Sequence, residues 1–108
     1  MSYKITSITH LDGTPRMDGR YPLRVGRVCS FLYEPATDQC MYLNWIRNSD
    51  GSAYSGYLRT SLVKQIERHA DGTLIITTCN SVYTFVPSFS AESMLDRNNE
   101  ICSFYYHK

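Results

Sequence analysis

Short runs of alternating apolar and polar residues, separated by turn signals, follow one another along most of this chain. The clearest run is Thr73–Cys79, TLIITTC, and Val82–Val86, VYTFV, follows shortly after it. Asn tolerates a positive φ, so Asn80 and Ser81 are predicted to form a two-residue turn between these strands. A chain of 108 residues patterned in this way is expected to be one antiparallel β-rich domain.

The same pattern predicts further strands upstream, at Tyr3–Thr9, Leu23–Tyr33, Cys40–Arg47 and Ala53–Thr60. Residues 10–22, HLDGTPRMDGRYP, contain two DG pairs and two prolines, which predicts a long irregular loop. Asn48–Ser52, NSDGS, is a strong hairpin signal. Leu62–Arg68 remains open between a short helix and a strand, and the HADGT turn that follows it favours a strand.

After Pro87 the period of the apolar residues changes from two to that of a helix. Ser90 can cap a helix whose first turn contains Glu92, where the helix dipole favours an acidic side chain. The predicted fold class is therefore α+β. A single antiparallel curved sheet of six or seven strands, or a partial barrel, covers 1–87, and a C-terminal helix or two short helices lie within 88–108.

Composition and charge exclude several classes of protein. Hydrophobic residues make up 43% and charged residues 19%, so the chain can bury a core and is not expected to be disordered. The net charge of +1 argues against non-specific binding to duplex nucleic acid. Open sheet edges and the nine tyrosines are compatible with a homo-oligomer.

The N-terminus has no apolar signal core, and no stretch approaches the roughly 20 apolar residues of a membrane helix. A cytoplasmic protein with reduced thiols is expected. The four cysteines form no CxxC pair and lie at no zinc-finger spacing from a histidine, so no metal site is predicted. We expect them to be small buried apolar side chains.

No catalytic motif is recognisable. The three histidines fall in a predicted loop, a turn and the C-terminal tail, and the chain has no nucleophile elbow, glycine-rich phosphate loop or HExxH. We therefore predict that the protein is not an enzyme and needs no cofactor.

Four arginines fall within twelve residues: Arg16, Arg20, Arg24 and Arg27. Only Asp18 opposes them, which leaves a local charge of +3. The planar fork of arginine suits phosphate, so Arg24 is a candidate phosphate ligand. The alternative is a solvated loop and an exposed strand face.

Four other polar residues are candidates for ligand binding, three at a strand end or a turn and one on the predicted helix. Arg59 and Thr60 offer a cation and a hydroxyl for a phosphate, although they could simply form a turn. Asn80 offers both a donor and an acceptor to a ribose or a base, or serves only as a turn residue. Arg97 on the predicted helix either joins a site or is solvated.

Aromatic residues on the predicted sheet could stack a nucleobase, namely Tyr54, Tyr57, Tyr83 and Phe85. The alternative is that they form ordinary cross-strand pairs.

Four segments carry a family resemblance: ITSITHLDGTPR, SGYLRTSLVKQI, LIITTCNSVYTF and the tail SAESMLDRNNEICSFYY. Together they resemble the first described family of phage anti-defence proteins that block Thoeris immunity. The resemblance implies a sponge that sequesters cyclic ADP-ribose isomers, and in some members cyclic trinucleotides, without cleaving them. It also implies a homo-oligomer, dimer or hexamer, with its pocket at a subunit interface.

The family pocket uses a stacking aromatic, an asparagine and an arginine late in the chain. Asn80 matches the asparagine, and Arg97 fits the arginine by order and spacing. No aromatic can be placed by the resemblance, because the segment before Asn80 contains His69 but no phenylalanine or tyrosine.

The expected function is thus sequestration of a cyclic nucleotide immune messenger in the host cell cytoplasm, which blocks anti-phage signalling. The alternative is a small phage or mobile-element β domain that acts as an adaptor and binds protein or single-stranded nucleic acid. Salt dependence separates the two, since binding of a long polyanion weakens steeply with salt.

Overall fold

A computed structural model of the chain describes residues 1–88. Six antiparallel strands close into a barrel in chain order, and the last strand pairs with the first. The elements are β1 (Ser2–Thr9), α1 (Tyr21–Arg24), β2 (Val28–Phe31), β3 (Cys40–Arg47), β4 (Tyr57–Arg68), β5 (Leu74–Thr78) and β6 (Val82–Ser88).

The interior of the barrel is filled by alternate residues of its strands. Because successive side chains of a strand point to opposite faces, the period of two seen in the sequence places one apolar set inside. β5 shows this clearly, with Leu74 and Ile76 buried on either side of a half-buried Ile75. The buried cluster comprises Ile5, Ile8, Cys29, Met41, Leu43, Trp45, Val63, Leu74, Ile76, Tyr83 and Phe85.

β4 bends at two irregularities in its register. An extra β4 residue lies opposite β3 between the pairs Cys40–Leu62 and Tyr42–Arg59, and another lies opposite β5 beside Val63. Bulges of this kind increase the local bend and twist of a strand. One long strand can therefore pair with both of its neighbours while the sheet closes.

The prediction of a six-stranded antiparallel sheet is confirmed, and the sheet is a closed barrel rather than an open or partial one. The predicted C-terminal helices lie outside the described residues. Pro87 does not end the sheet, since β6 continues to Ser88. β5 pairs with β6 only as far as Phe85, so Pro87 lies where β6 has a strand partner on one side alone, which proline tolerates.

Three of the predicted segments differ from the structure in their bounds. Leu23–Tyr33 contains only the short strand β2, and its first residues belong to α1, where Pro22 is favoured in the first turn. Ala53–Thr60 and Leu62–Arg68 are not two elements. They join in the single strand β4, which begins at Tyr57 after an extended connection.

The closed barrel also removes one argument for assembly. Every strand of residues 1–88 pairs on both sides somewhere along its length, so the open edges expected of a curved sheet are not found there. No helix in this part of the chain has the length and apolarity needed to cross a membrane.

The cysteines do not behave as one class. Cys29 is buried in the core, and burial raises the pKa of its thiol to about 12. Cys40 is half-buried and Cys79 is exposed, so the expectation that the cysteines are buried apolar residues is wrong for Cys79. Cys102 lies outside the described residues. Cys79 is exposed because it occupies the turn between β5 and β6 rather than a strand.

Candidate functional site

The connection between β1 and β2, residues 10–27, contains all four clustered arginines and is called the arginine arm below. Backbone hydrogen bonds fix its two ends to β1. Near the start, the amide of Arg16 donates to the carbonyl of Ile8 at 3.1 Å. At the far end, Gly26 donates to the carbonyl of Ile5 at 2.7 Å, and Ile5 donates to Arg27 at 3.0 Å. The arm is therefore part of the folded structure at both ends.

Gly26 lets the arm return closely to the barrel. Its φ is +93°, and a Cβ there would lie 2.8 Å from the Cβ of Ser49 in the β3–β4 loop. A side chain at this position would meet both backbone strain and a collision. The glycine thus sets how the chain enters β2 immediately after Arg27.

Arg16 binds the arm to the β5–β6 turn. Its Nη1 donates to the carbonyl of Asn80 at 3.0 Å and to Oγ of Ser81 at 2.9 Å. Its Nε and Nη2 form a bidentate pair with Asp18, at 3.1 and 2.6 Å, and its guanidinium lies 4.0 Å from the ring centroid of Tyr21. These hydrogen bonds with Arg16 lower the pKa of Asp18 to about 2. Arg16 is fully engaged within the protein.

Arg24, the last residue of α1, reaches back to the barrel. Its Nη1 donates to the hydroxyl of Tyr83 at 3.3 Å, and its guanidinium lies 4.7 Å from the Tyr21 centroid. The ring of Tyr83 is buried against Phe85, so only its hydroxyl group is placed to contact the arm. Burial raises the pKa of the Tyr83 hydroxyl, which keeps it neutral and able to accept from Arg24.

Arg27 is held between two aromatic rings. Its guanidinium lies 5.2 Å from the centroid of Trp45 on β3 and 4.4 Å from that of Tyr54 in the β3–β4 connection. Contact of a cation with an aromatic face is favourable and most so with tryptophan. Arg27 is therefore a positive charge in a fixed position rather than a mobile surface side chain.

Three of the four arginines converge on one cleft of about 160 Å³ between the arm and the start of β4. We call it the arginine cleft. It is lined by Arg20, Leu23, Arg24, Arg27, Trp45, Tyr54, Tyr57 and Leu58. Tyr57 is 71% exposed and offers an open ring at the rim of the cleft.

The positive charge of the arginine cleft is not neutralised by the described part of the protein. Within residues 1–88, Arg16 pairs with Asp18 and Arg68 with Glu34, whereas no carboxylate pairs with Arg20, Arg24 or Arg27. The cleft lining contains no acidic residue. An anion with a flat ring is the ligand whose chemistry complements such a surface.

Of the predicted polar ligand residues that the structure describes (Arg24, Arg59, Thr60 and Asn80), Arg24 alone lines the arginine cleft. Thr60 serves the bulge of β4, because its hydroxyl accepts the amide of Met41 at 3.1 Å and donates to the carbonyl of Ser61 at 2.8 Å. Arg59 is exposed on β4 opposite Tyr42 and does not line the cleft. Arg97 lies outside the described residues.

Asn80 is exposed in the β5–β6 turn, but the predicted turn is shifted by one residue. The amide of Thr78 donates to the carbonyl of Ser81 at 2.8 Å, so Cys79 and Asn80 are the central pair. The Thr78 hydroxyl accepts the amides of Asn80 and Ser81, at 3.3 and 3.1 Å. This side-chain contact shapes the turn, and Asn80 does not adopt a positive φ.

The predicted stacking aromatics divide into two groups. Tyr83 and Phe85 are 2% and 0% exposed, so they offer no ring face to a base and the expectation that they stack one is wrong. Tyr54 and Tyr57 line the arginine cleft. Sequence reasoning left Arg20 and Arg27 open between a site and a solvated loop, and it did not single out Trp45. For Arg20 and Arg27, the arginine cluster itself was the only signal in the sequence.

The described lining of the arginine cleft offers cationic and aromatic side chains. The side chains that line it include no histidine, cysteine, serine or carboxylate to act as a nucleophile or a general base. Among residues 1–88, no group of three or more histidine, cysteine or acidic side chains is arranged to hold a metal ion.

Comparison of the chain with protein-family models, with curated proteins and with solved structures finds no match.

Proposed function

We propose that this protein binds a cyclic nucleotide messenger of the cyclic ADP-ribose type in the arginine cleft and sequesters it without cleaving it. One observation carries the proposal. Arg20, Arg24 and Arg27 converge on an aromatic-lined cleft in which no carboxylate of residues 1–88 neutralises them. Guanidinium groups bind phosphates bidentately, and Tyr57 at the rim offers its exposed ring to a base. The resemblance to phage anti-Thoeris proteins suggests the biological role, which is to block immune signalling in the host cytoplasm.

A sponge must compete with the receptor of the messenger, which calls for nanomolar affinity, or about −12 kcal/mol. A small ligand reaches such affinity only where the binding groups are already ordered. Arg27 between Trp45 and Tyr54, and Arg24 on the hydroxyl of Tyr83, meet that requirement in the unliganded chain. Their order supports a compact ligand over a flexible surface interaction.

The size of the cleft supports assembly. About 160 Å³ is smaller than the roughly 300–1,000 Å³ that ligand pockets of drug-sized molecules usually provide. One chain would hold the phosphates and one ring of a cyclic dinucleotide-like ligand. A second copy would cover the rest, in keeping with the homo-oligomer, dimer or hexamer, expected from the resemblance.

A second function uses the same cleft. Arginines interleaved with exposed tyrosines also suit one nucleotide of a single strand, as in an adaptor domain of a phage or mobile element. The net charge of +1 favours the compact ligand, since binding along a polyanion needs positive charge over a longer surface.

The test is calorimetry of the full chain against cyclic ADP-ribose isomers, cyclic dinucleotides and cyclic trinucleotides, with a ten-residue oligothymidylate for comparison. Arg27→Gln removes one cleft charge, and Arg68→Gln removes one charge from an exposed pair with Glu34 outside the cleft. We expect nanomolar binding of one cyclic nucleotide, recovered intact after denaturation. Arg27→Gln should weaken it at least about tenfold, as loss of a charge-assisted hydrogen bond does, and Arg68→Gln should not.

Absence of binding to every cyclic nucleotide would contradict the proposal. Tight binding of the oligothymidylate instead, with a steep dependence on salt, would establish the adaptor function.

A further inference from the structure

The helix that presents two of the cleft arginines has little to hold it in place. α1 consists of four residues and buries none of its side chains. A single turn of helix is not stable alone, and most helices in proteins are fixed by an apolar face packed on the core. Of the four α1 residues only Tyr21, which is half-buried, packs against the core, so other contacts must contribute to the position of α1.

The backbone bonds of the arginine arm leave α1 between two anchored ends. The first anchor is the bond from the Arg16 amide to Ile8, and the second is the pair of bonds that joins Gly26 and Arg27 to Ile5. Between them, the backbone bonds of α1 are local: Tyr21 donates to Asp18, Leu23 donates to Arg20, and Arg27 donates to the carbonyl of Arg24 at 3.2 Å. They shape the turn, and only the last of them leads to the barrel, through the bond between Ile5 and Arg27.

Side chains add to that connection: Tyr21 packs on the core, Arg24 bonds to Tyr83, and Arg16 bonds to the β5–β6 turn. Its guanidinium donates four hydrogen bonds, two to the β5–β6 turn and two to Asp18 in the arm, and it contacts the ring of Tyr21. Only 14% of the Arg16 side chain is exposed, and Ser81 beneath it is 1% exposed. The contact is therefore enclosed on the barrel side.

Tyr21 transmits this restraint to the cleft. Its ring contacts the guanidinium of Arg16 at 4.0 Å and that of Arg24 at 4.7 Å. Arg16 itself does not line the cleft. Any effect of Arg16 on ligand binding must therefore be transmitted through α1.

We propose that Arg16 is a positioning residue, which clasps the arginine arm to the β5–β6 turn so that Arg20 and Arg24 face the arginine cleft. The proposal rests on the cleft being the binding site proposed above. Without the clasp, α1 samples other positions, and apparent affinity falls in proportion to the fraction of molecules with the arm in place.

The experiment compares Arg16→Gln, Arg16→Lys and Asp18→Asn with Arg68→Gln as the matched control. Arg68→Gln also removes one guanidinium from an ion pair, at 2.9 Å from Glu34. Two quantities are measured in the full chain: the affinity for the cyclic nucleotide that the wild type binds best, and amide hydrogen exchange at Tyr21, Leu23 and Arg27.

We expect both Arg16 variants to lose about tenfold in affinity and to exchange these amides faster, while the amides of β5 and β6 keep their protection. Lysine keeps the charge but cannot form the bidentate pair and the two turn contacts together, so Arg16→Lys should resemble Arg16→Gln. Asp18→Asn, at an exposed position, should shift both quantities in the same direction but less.

Wild-type affinity and exchange in Arg16→Lys would show that only charge matters and would overturn the proposal. The same result in Arg16→Gln would do so as well. Exchange that also accelerates throughout β5 and β6 would assign Arg16 to barrel stability instead of positioning. If the wild type binds no nucleotide, the proposed function fails, and faster exchange confined to the arm still decides whether the clasp exists.

Discussion

The barrel and the arginine arm are held by different kinds of contact. In the barrel, alternate apolar side chains such as Phe85 and Ile76 are fully buried, and the area they remove from water stabilises the fold. In the arm, Tyr21 and Val25 are only half-buried against the core, and the place of α1 depends also on directional contacts of Arg16 and Arg24. We therefore expect a single polar substitution to alter the arm without unfolding the barrel.

The largest expected difference between the two regions comes from removing an apolar side chain from each. Phe85 is 0% exposed and packs within 5.0 Å of the Phe31 centroid, so Phe85→Ala should reduce the free energy of unfolding by about 3–5 kcal/mol. Leu23 in the arm is 61% exposed, and Leu23→Ala should change it by less than about 0.5 kcal/mol. Urea unfolding followed by Trp45 fluorescence measures both.

Equal losses in the two variants would show that Leu23 stabilises the protein as much as a core residue does. The contrast between the arm and the barrel would then disappear. A loss of stability confined to Phe85→Ala would confirm that the buried side chain in the barrel stabilises the fold and that Leu23 in the arm does not.

The same contrast explains what the sequence could predict. Alternation placed β3 at Cys40–Arg47 and β5 within Thr73–Cys79, because apolar and polar side chains alternate from one residue to the next along a half-buried strand. It failed over Leu23–Tyr33, where apolar residues continue the pattern through a helical turn and through Gly26 at φ +93°. Backbone conformation at a glycine leaves no mark on the pattern of its neighbours.

The candidate site was predictable only in part. The spacing of four arginines marked the arm as a source of positive charge. Arg16 contacts the β5–β6 turn, whereas the other three arginines line the cleft. This division depends on partners far along the chain, namely Ser81 for Arg16, Tyr83 for Arg24 and Trp45 for Arg27. A local pattern does not encode contacts separated by such distances, so Arg27 and Trp45 could be assigned only from the fold.

The junction between arm and barrel gives a prediction of intermediate size. Gly26→Ala meets a positive φ and a contact of 2.8 Å with Ser49, and should destabilise the protein by about 1–3 kcal/mol. Gly51→Ala is the matched control, because its φ is +90° and no atom lies within 4 Å of the added Cβ. The difference between the two variants measures the collision alone.

Combining Gly26→Ala with Ser49→Gly sharpens this test. Removal of the Ser49 side chain should recover the part of the loss that exceeds that of Gly51→Ala, and thermal unfolding of all three variants checks it. If Gly26→Ala destabilises the protein no more than Gly51→Ala does, the backbone of the arm can shift at Gly26. This end of the arm is then not fixed against the β3–β4 loop.

The smallest expected effect is the response of the clasp to acid. The pKa of Asp18 is lowered from 3.8 to about 2, chiefly by its hydrogen bonds from Arg16. A carboxylate with a lowered folded-state pKa contributes its stabilisation fully above the unfolded value, and loses it as pH falls through the folded value. The arm should thus loosen between about pH 4 and pH 2, as Asp18 becomes protonated.

A local measurement is needed, because the pKa values of Asp12, Asp50 and Asp71 are also lowered and act on overall stability in acid. The nitrogen chemical shift of Arg16 Nε, followed by NMR from pH 5 to pH 2, reports the Asp18 pair directly. Its midpoint should lie near pH 2, and Asp18→Asn should abolish the transition. A midpoint near 3.8 would mean that the bidentate pair is not maintained in solution, and Arg16 would then act on α1 through the ring of Tyr21 and not through Asp18.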